Sequence, residues 1–336
     1  MKRININIKR LTFSLLLLFV IVIFNFVYAS SETAYDISQY TIDAKVMKNG
    51  NLHVVENICF DFHDTANGIF RDILYCYNYR NQKDTMKPTS SRYQASNISN
   101  ITVTELNSDG IGKTYYNWIS ESVAQVGMSN VFSVSKIESD DGYLDRIKIY
   151  IPSNSGTKKY LKIEYDIEDV AVLYQNAGEI YWNFVGNRWD CHISDLRVNI
   201  AFESSYQGEE IKFYPHGYTN ITDITTKDGE LSFFVKDLKK QTAIDARVVF
   251  PSRYLNDIVL KKIAKPYDTQ ELVKTENSMD FGKIRYQMSS VFNVAIVFFA
   301  VIFLCIIIKK ASQISSKGKN KKVEYYRDIF KRITSV

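Results

Sequence analysis

The chain has 336 residues and a net charge of +5, too long for one small domain; with both apolar ends set aside, one large or two small domains remain. Tyr and Phe number 23 and 20 against only 5 Pro, which argues against a disordered or low-complexity chain and points to strands with aromatic faces. Basic residues gather at the two extreme ends, with no nucleic-acid-binding motif and no basic helix long enough to follow a groove, so the charge reads as membrane topology and no nucleic-acid partner is expected.

The first element is a basic flank, Lys2, Arg3, Lys9 and Arg10, followed by the apolar run Leu11 to Val27 and by Val27-Tyr28-Ala29, where a signal peptidase would cut. This is the order of a secretory signal, assigned to residues 1–29. The run is long for a cleaved signal, so an uncleaved signal anchor stays open; either way the residues that follow lie on the outer side.

From Tyr35 to Pro251 the dominant signal is alternation with period two, the mark of strands with one face on a core and one in water. Leu161, Ile163, Tyr165 and Ile167 share a face, as do Leu196, Val198, Ile200 and Phe202, and Ile244, Ala246, Val248 and Phe250. Ile147, Ile149 and Ile151 form another stripe. Pro152 to Gly156 supplies turn chemistry before Leu161, which predicts an antiparallel hairpin between these two strands. Asn49-Gly50, Asp109-Gly110, Asp141-Gly142 and Asp228-Gly229 mark further reversals. The fold expectation is mainly β: one or two antiparallel β-sandwiches in an extracytoplasmic domain over residues 30–252.

After Pro251, Leu255, Ile258, Val259 and Ile263 fall at helical spacing until Pro266, which predicts a short helix and stalk over 253–290. Val291 to Ile308 is apolar apart from Asn293 and as a helix would reach about 27 Å, enough for a transmembrane span. Lys309, Lys310, Lys317, Lys319, Lys321, Lys322, Arg327, Lys331 and Arg332 make residues 309–336 a basic cytoplasmic tail suited to anionic headgroups. The expected location is thus the cell membrane, with the bulk of the chain outside.

Chemistry-bearing motifs are few. Gly110-Ile111-Gly112-Lys113-Thr114 looks like the end of a phosphate-binding loop, but its leading Gly position is occupied by Asn107 and no helix pattern follows, so it reads as a hairpin turn. His53, Glu56, Asp61, His63 and Asp64 supply metal-type donors without the spacing of a completed shell. Cys59, Cys76 and Cys191 allow one bridge at most and read as small core residues. His192 and His216 lie in no nucleophile motif, so no hydrolase triad can be traced and no catalytic residue, metal or cofactor is expected.

Two segments are denser in functional side chains: Gly68-Ile69-Phe70-Arg71-Asp72-Ile73, and Gly178-Glu179-Ile180-Tyr181-Trp182-Asn183 continuing to Gly186, Arg188, Trp189 and Asp190. Arg71, Asp72, Tyr181, Trp182, Asn183, Arg188 and Trp189 form the candidate patch. It is either a platform that stacks a sugar ring or grips a peptide, or a set of core anchors and ion-pair partners.

These segments, with the Asn49-Gly50 turn leading into Val54-Val55-Glu56, resemble a bacterial family of predicted membrane proteins carrying the domain of unknown function 2207. The resemblance spans roughly Tyr35 to Pro251. It implies a signal peptide, an extracytoplasmic β-sandwich and a following membrane helix, and it implies no activity. Members usually continue past a segment like Glu324 to Asp328 into a longer cytoplasmic part with more membrane helices. Here Ile329-Phe330 follow and the chain stops at Val336, so a C-terminally truncated relative is expected. The functional expectation is a non-enzymatic envelope protein whose exported domain binds a cell-wall polymer or another membrane protein. A sensor acting through the tail and an envelope hydrolase are the alternatives.

Overall fold

The computed structural model describes residues 33–276 apart from 78–94, 110–111, 140–141, 204–209, 218–220, 227–230, 257–258, 260–261, 264 and 275, together with residues 324 and 327. Residues 32–268 make one compact unit, and residues 1–31 and 269–336 are grouped in a second. The expected signal segment and the apolar stretch at 291–308 lie outside the described residues. Among the described residues no helix is long and apolar enough to cross a membrane.

Seventeen strands are described, in chain order β1 (Tyr35–Val46), β2 (Leu52–Phe62), β3 (Ile69–Tyr77), β4 (Asn97–Leu106), β5 (Lys113–Tyr115), β6 (Asn117–Trp118), β7 (Val131–Ser139), β8 (Gly142–Tyr150), β9 (Lys158–Glu168), β10 (Val172–Tyr174), β11 (Ala177–Val185), β12 (Ile193–Phe202), β13 (Lys212–Gly217), β14 (Ile221–Thr225), β15 (Leu231–Leu238), β16 (Ile244–Pro251) and β17 (Lys262–Ile263). They form an eight-stranded sheet ordered β14-β15-β12-β1-β2-β9-β4-β5, a five-stranded sheet β13-β16-β11-β10-β17 and a four-stranded sheet β3-β8-β7-β6. The chain is therefore mainly β, as the alternation dictates.

Each of the four Asn-Gly and Asp-Gly reversals joins strands that pair antiparallel: β1 with β2, β4 with β5, β7 with β8 and β14 with β15. At Gly50 the backbone takes φ +86, the left-handed region where a glycine carries no steric cost. The pairing is not wholly antiparallel. β1 runs parallel to β12 in the middle of the large sheet, and β6 with β7 and β10 with β17 are also parallel.

The predicted hairpin across Pro152 to Gly156 is absent. β8 pairs with β3 and β7 in the four-stranded sheet, whereas β9 lies between β2 and β4 in the eight-stranded sheet. Turn residues specify that the chain reverses. Whether the next strand bonds to its predecessor or crosses to an opposing sheet is decided by where both apolar faces can be buried, and here Ile147, Ile149 and Ile151 share one core with Leu161, Ile163 and Ile167.

Among the described residues the stripe between Leu255 and Pro266 is not helical: a 3-10 turn occupies Ser252–Tyr254, β17 extends the five-stranded sheet beside β10, and helix begins only at Thr269. Leu255 and Val259 are both buried in the core, and that burial is what their apolar character reports. One hydrophobic cluster contains residues of all three sheets, so they share a single core. Phe202 of β12 meets Phe250 of β16 edge-on at 4.9 Å, and Phe213 of β13 lies 5.9 Å from Phe233 of β15. The three cysteines of this unit are free thiols. Burial raises the Cys191 thiol to about 12, so it stays protonated and unreactive.

Gly68 opens β3 at a point where any Cβ would collide with the backbone carbonyl oxygen of Ile149. Backbone cannot swing aside as a flexible side chain can, so β3 would be pushed off β8. Gly68→Ala is expected to lower unfolding stability by about 1–3 kcal/mol, read as a lower urea midpoint, and an unchanged midpoint contradicts this account.

Candidate functional site

The densest polar constellation lies inside the core. Period-two alternation along β3 sends Ile69, Arg71 and Ile73 inward and Phe70 and Asp72 outward. Arg71 is buried against Glu56 of β2, itself fully buried, with Arg71 Nε 3.1 and 3.0 Å from the two carboxylate oxygens and Nη2 2.7 Å from Oε1. The guanidinium also donates to the carbonyl oxygens of Asp72 (2.8 Å) and of Phe184 on β11 (3.1 Å). The Tyr165 hydroxyl of β9 donates to Glu56 Oε1 at 2.6 Å. The Trp189 ring lies 5.9 Å from the guanidinium carbon and packs edge-on against Tyr40 at 6.2 Å.

This group links all three sheets, since Glu56 and Tyr165 belong to the eight-stranded sheet, Arg71 to the four-stranded and Phe184 to the five-stranded. Burial opposes the charge on Arg71, yet the charge and hydrogen bonds of Glu56, together with Tyr40 and Tyr165, outweigh it and hold the guanidinium well above its usual range. Burial, and then the neighbouring Glu56 carboxylate, raise the Tyr165 hydroxyl well above the ordinary phenol range, so it serves as a donor throughout the physiological range.

The second cluster occupies the other face of the five-stranded sheet, where β11 and β16 are covered on both sides. Arg247 Nε is 3.4 Å from Glu179 Oε1, and the Tyr174 hydroxyl donates to Glu179 Oε2 at 2.8 Å. The Arg247 guanidinium lies 4.8 Å from the Tyr181 ring centroid, and His216 Nδ1 is 3.1 Å from Asp245 Oδ1.

The third is exposed and lies on the outer face of the four-stranded sheet. Phe70 is 47% exposed, with the Arg146 guanidinium 5.2 Å and the Lys148 ammonium 5.6 Å from its ring centroid. The register Phe70↔Lys148 and Asp72↔Arg146 between β3 and β8 sets this arrangement. Asp72 receives two 2.7 Å hydrogen bonds from Arg146, which hold the guanidinium charged and raise its pKa. Lys148 also lies 4.9 Å from the Tyr150 ring. An apolar plane with a cationic rim can stack a sugar ring and meet an anionic substituent at once.

The seven residues singled out from the sequence are thus divided among different surroundings. Arg71, Trp182 and Trp189 are buried on the core side, Tyr181 and Asn183 lie on the opposite face of β11, Asp72 is paired with Arg146, and Arg188 is exposed with its Nη2 3.4 Å from Ser139 Oγ. The separation of Tyr181 and Asn183 from Trp182 follows from alternation itself. The metal-type donors do not converge: His53 bonds Asp166, Glu56 holds Arg71, Asp61 pairs with Lys158 and the His63 ring meets the Thr33 carbonyl. Among the described residues no group of three or more metal-type side chains is gathered. The Asn107 amide and side chain both bond Gly112, within the turn joining β4 to β5. Sequence reading missed the Phe70 face, although Arg146 and Lys148 alternate with Ile147 and Ile149, because β3 and β8 are separated in the chain by β4 to β7.

A single-core assembly of three sheets around a buried Arg–Glu pair defines the class as a mainly β domain. The chain belongs to the family described as the predicted membrane protein (DUF2207) N-terminal domain, whose model matches residues 36–250. No curated protein matches the chain. Among solved structures it is similar to a Parabacteroides distasonis protein classed provisionally as a protease, at 7% identity and TM-score 0.36 over 65% of this chain and 41% of that one. It is similar to an M1 zinc metallopeptidase from Deinococcus radiodurans, at 10% identity and TM-score 0.30 over 64% and 42%. A provisionally classed nutrient binding protein from Legionella pneumophila aligns at 10% identity and TM-score 0.35 over 65% and 68%. The chain spans about two fifths of the length of the first of these structures.

Two outcomes follow from the buried charges. Glu56→Gln leaves the Arg71 cation without its counter-ion and is expected to cost about 3–5 kcal/mol, most of it recovered when Arg71→Met and Glu56→Leu are combined; urea titration of the three proteins checks the pattern, which additive losses would contradict. Asp145 is buried, and among the described residues its Oδ1 has no hydrogen-bond partner. Burial raises its carboxyl above the ordinary range, only partly opposed by Lys136 at 4.0 Å. A raised folded-state pKa favours folding below the ordinary carboxylate value, and the advantage is lost as pH rises through the raised value. Asp145→Asn is therefore expected to be more stable than the parent at neutral pH, with the gap closing on acidification to about pH 3–4. Denaturation at both pH values measures it, and a gap that widens in acid has the wrong sign.

Proposed function

We propose that this chain is a membrane-tethered binding module of the cell envelope, whose exported sandwich engages a cell-wall polymer through the outer face of the four-stranded sheet. The observation that carries this reading is Phe70, 47% exposed and flanked by the Arg146 and Lys148 cations. The ring leaves an apolar plane accessible beside the two cations, a surface that a partner's apolar face can cover. Its cationic rim selects a partner with both apolar ring faces and negative charge, as a sugar polymer with anionic substituents has. In this reading the domain is a binder, not a catalyst, and the apolar stretch at 291–308 is the tether that keeps it at the membrane, with the basic tail inside.

Membership in a family of predicted membrane proteins supports the tether. The pairing of Asp72 with Arg146 supports the face, because it orients one cation beside the ring before any partner arrives. Another envelope protein bearing an acidic, apolar surface would use the same residues.

The test is retention of the full chain, in detergent, on purified cell-wall material. Phe70→Ala and Lys148→Glu are each expected to weaken retention about tenfold or more, equivalent to about 1.4 kcal/mol, with thermal unfolding unchanged. Absence of retention together with absence of any crosslinked envelope partner refutes the binding role. Protease added to intact cells after the wall is opened tests the placement separately; an untouched sandwich places it on the other side.

A further inference from the structure

A different surface, at one edge of the sandwich, concentrates exposed apolar side chains. Tyr115, Trp118, Val123 and Val126 are 58%, 62%, 58% and 79% exposed within a short stretch of chain. β5 is the outermost strand of the eight-stranded sheet and β6 that of the four-stranded sheet, so the chain passes from one sheet edge to the other here. The passage is anchored at Tyr116, which is buried; its amide donates to the Val103 carbonyl at 3.0 Å and its hydroxyl to Glu105 Oε2 at 2.7 Å. The amides of Asn117 and Ile119 then bond the carbonyls of Asn130 and Phe132 at 2.9 and 2.8 Å. Tyr115 and Trp118 thus project from hydrogen-bonded edge strands, Val123 from the 3-10 turn Glu121–Val123 that follows and Val126 from the loop after it.

Charge is sparse on this edge. From Gly112 to Asn130 only Lys113 and Glu121 are ionisable acids or bases other than Tyr. Lys113 lies 4.7 Å from the Tyr115 ring, and the Glu121 carboxylate accepts a hydrogen bond from Ser135 on the neighbouring strand. An apolar sheet edge left in water invites aggregation, and natural sheets usually blunt such edges with charge. This edge instead carries one Trp, one Tyr and two aliphatic side chains, the composition that settles at the boundary of headgroups and acyl chains, with polar ring tips in the wet layer and aliphatics beneath.

We propose that this edge docks on the bilayer surface, with Trp118 and Tyr115 at headgroup level and Val123 and Val126 just below. The inference rests on the tether of the preceding reading. Residues 269–290 separate the sandwich unit from the apolar stretch, and 22 residues reach at most about 75 Å even fully extended. A bilayer held that near is present at high effective concentration, so a weak apolar contact is enough to keep the edge seated. Docking would also orient the domain, leaving the Phe70 face of the same four-stranded sheet in a defined position relative to the membrane.

The experiment uses the full chain reconstituted in vesicles of phosphatidylethanolamine and phosphatidylglycerol, with and without bromine on the acyl chains. Trp118 is one of three tryptophans, and Trp182 and Trp189 are buried, so Trp118→Phe supplies the background. Brominated lipid is expected to remove up to about a third of the parent emission and none of the Trp118→Phe emission. Val126→Asp, at a position exposed to solvent, should abolish that loss and make Trp118 accessible to acrylamide without altering thermal unfolding. Equal emission in the two vesicle types overturns the proposal: acrylamide access then means a bare edge, and concentration-dependent shielding with crosslinked dimers means a second copy covers it. An alkaline carbonate wash reports on the tether independently. Protein that washes off the vesicles refutes the tether and this inference together, whereas protein that stays but is unquenched refutes the docking alone.

Discussion

A guanidinium with almost no access to water has to be neutralised where it lies, and the three sheets are organised around the place where this happens. Arg71 meets the Glu56 carboxylate, two carbonyl oxygens and the Trp189 ring, and those partners come from all three sheets. Desolvating two charges costs several kcal/mol each, so the pair adds little net stability compared with apolar residues of the same volume. What it contributes is restriction. A sliding sheet or a shifted register would break the geometry and strand a charge, and because one residue of slip sends a side chain to the opposite face, β2 and β3 are held in their observed registers.

The same alternation distributes the functional possibilities. Along β3, the residue that closes the core and the residue that faces solvent are neighbours, so the Arg71 anchor sets the position of Phe70 and, through the cross-strand pairs, of Arg146 and Lys148. Along β11, Trp182 enters the core while Tyr181 joins the Arg247 and Glu179 cluster on the other side. Exposed chemistry is therefore found on surfaces that the core specifies indirectly: the outer face of the four-stranded sheet and the edge at which two sheets meet.

Much of the architecture was legible before any coordinates. The stripes of Leu161 to Ile167, Leu196 to Phe202 and Ile244 to Phe250 are strands with the predicted face buried, and the four Asn-Gly and Asp-Gly pairs lie between antiparallel neighbours. The failures share a cause. Pro152 to Gly156 reads as a hairpin turn, yet it carries the chain between sheets, and Leu255 and Val259 read as a helix stripe although each is buried outside any described helix. Local chemistry reports that a chain bends or that a side chain is apolar, and it does not report which distant strand completes the contact. Trp118 went unweighed because one Trp beside a short strand looks like any core aromatic until the strand is known to be an edge.

Periodicity and turn residues were enough to determine a strand-rich unit and its facing residues, because each of these signals acts over a few residues. The mixed parallel pairing of β1 with β12, the union of three sheets in one core, and the split of the seven candidate residues among core, second face and solvent were decided only in the tertiary structure. Pairing partners more than a hundred residues apart are selected by simultaneous burial and charge neutralisation, and that selection exists only once the whole chain has packed.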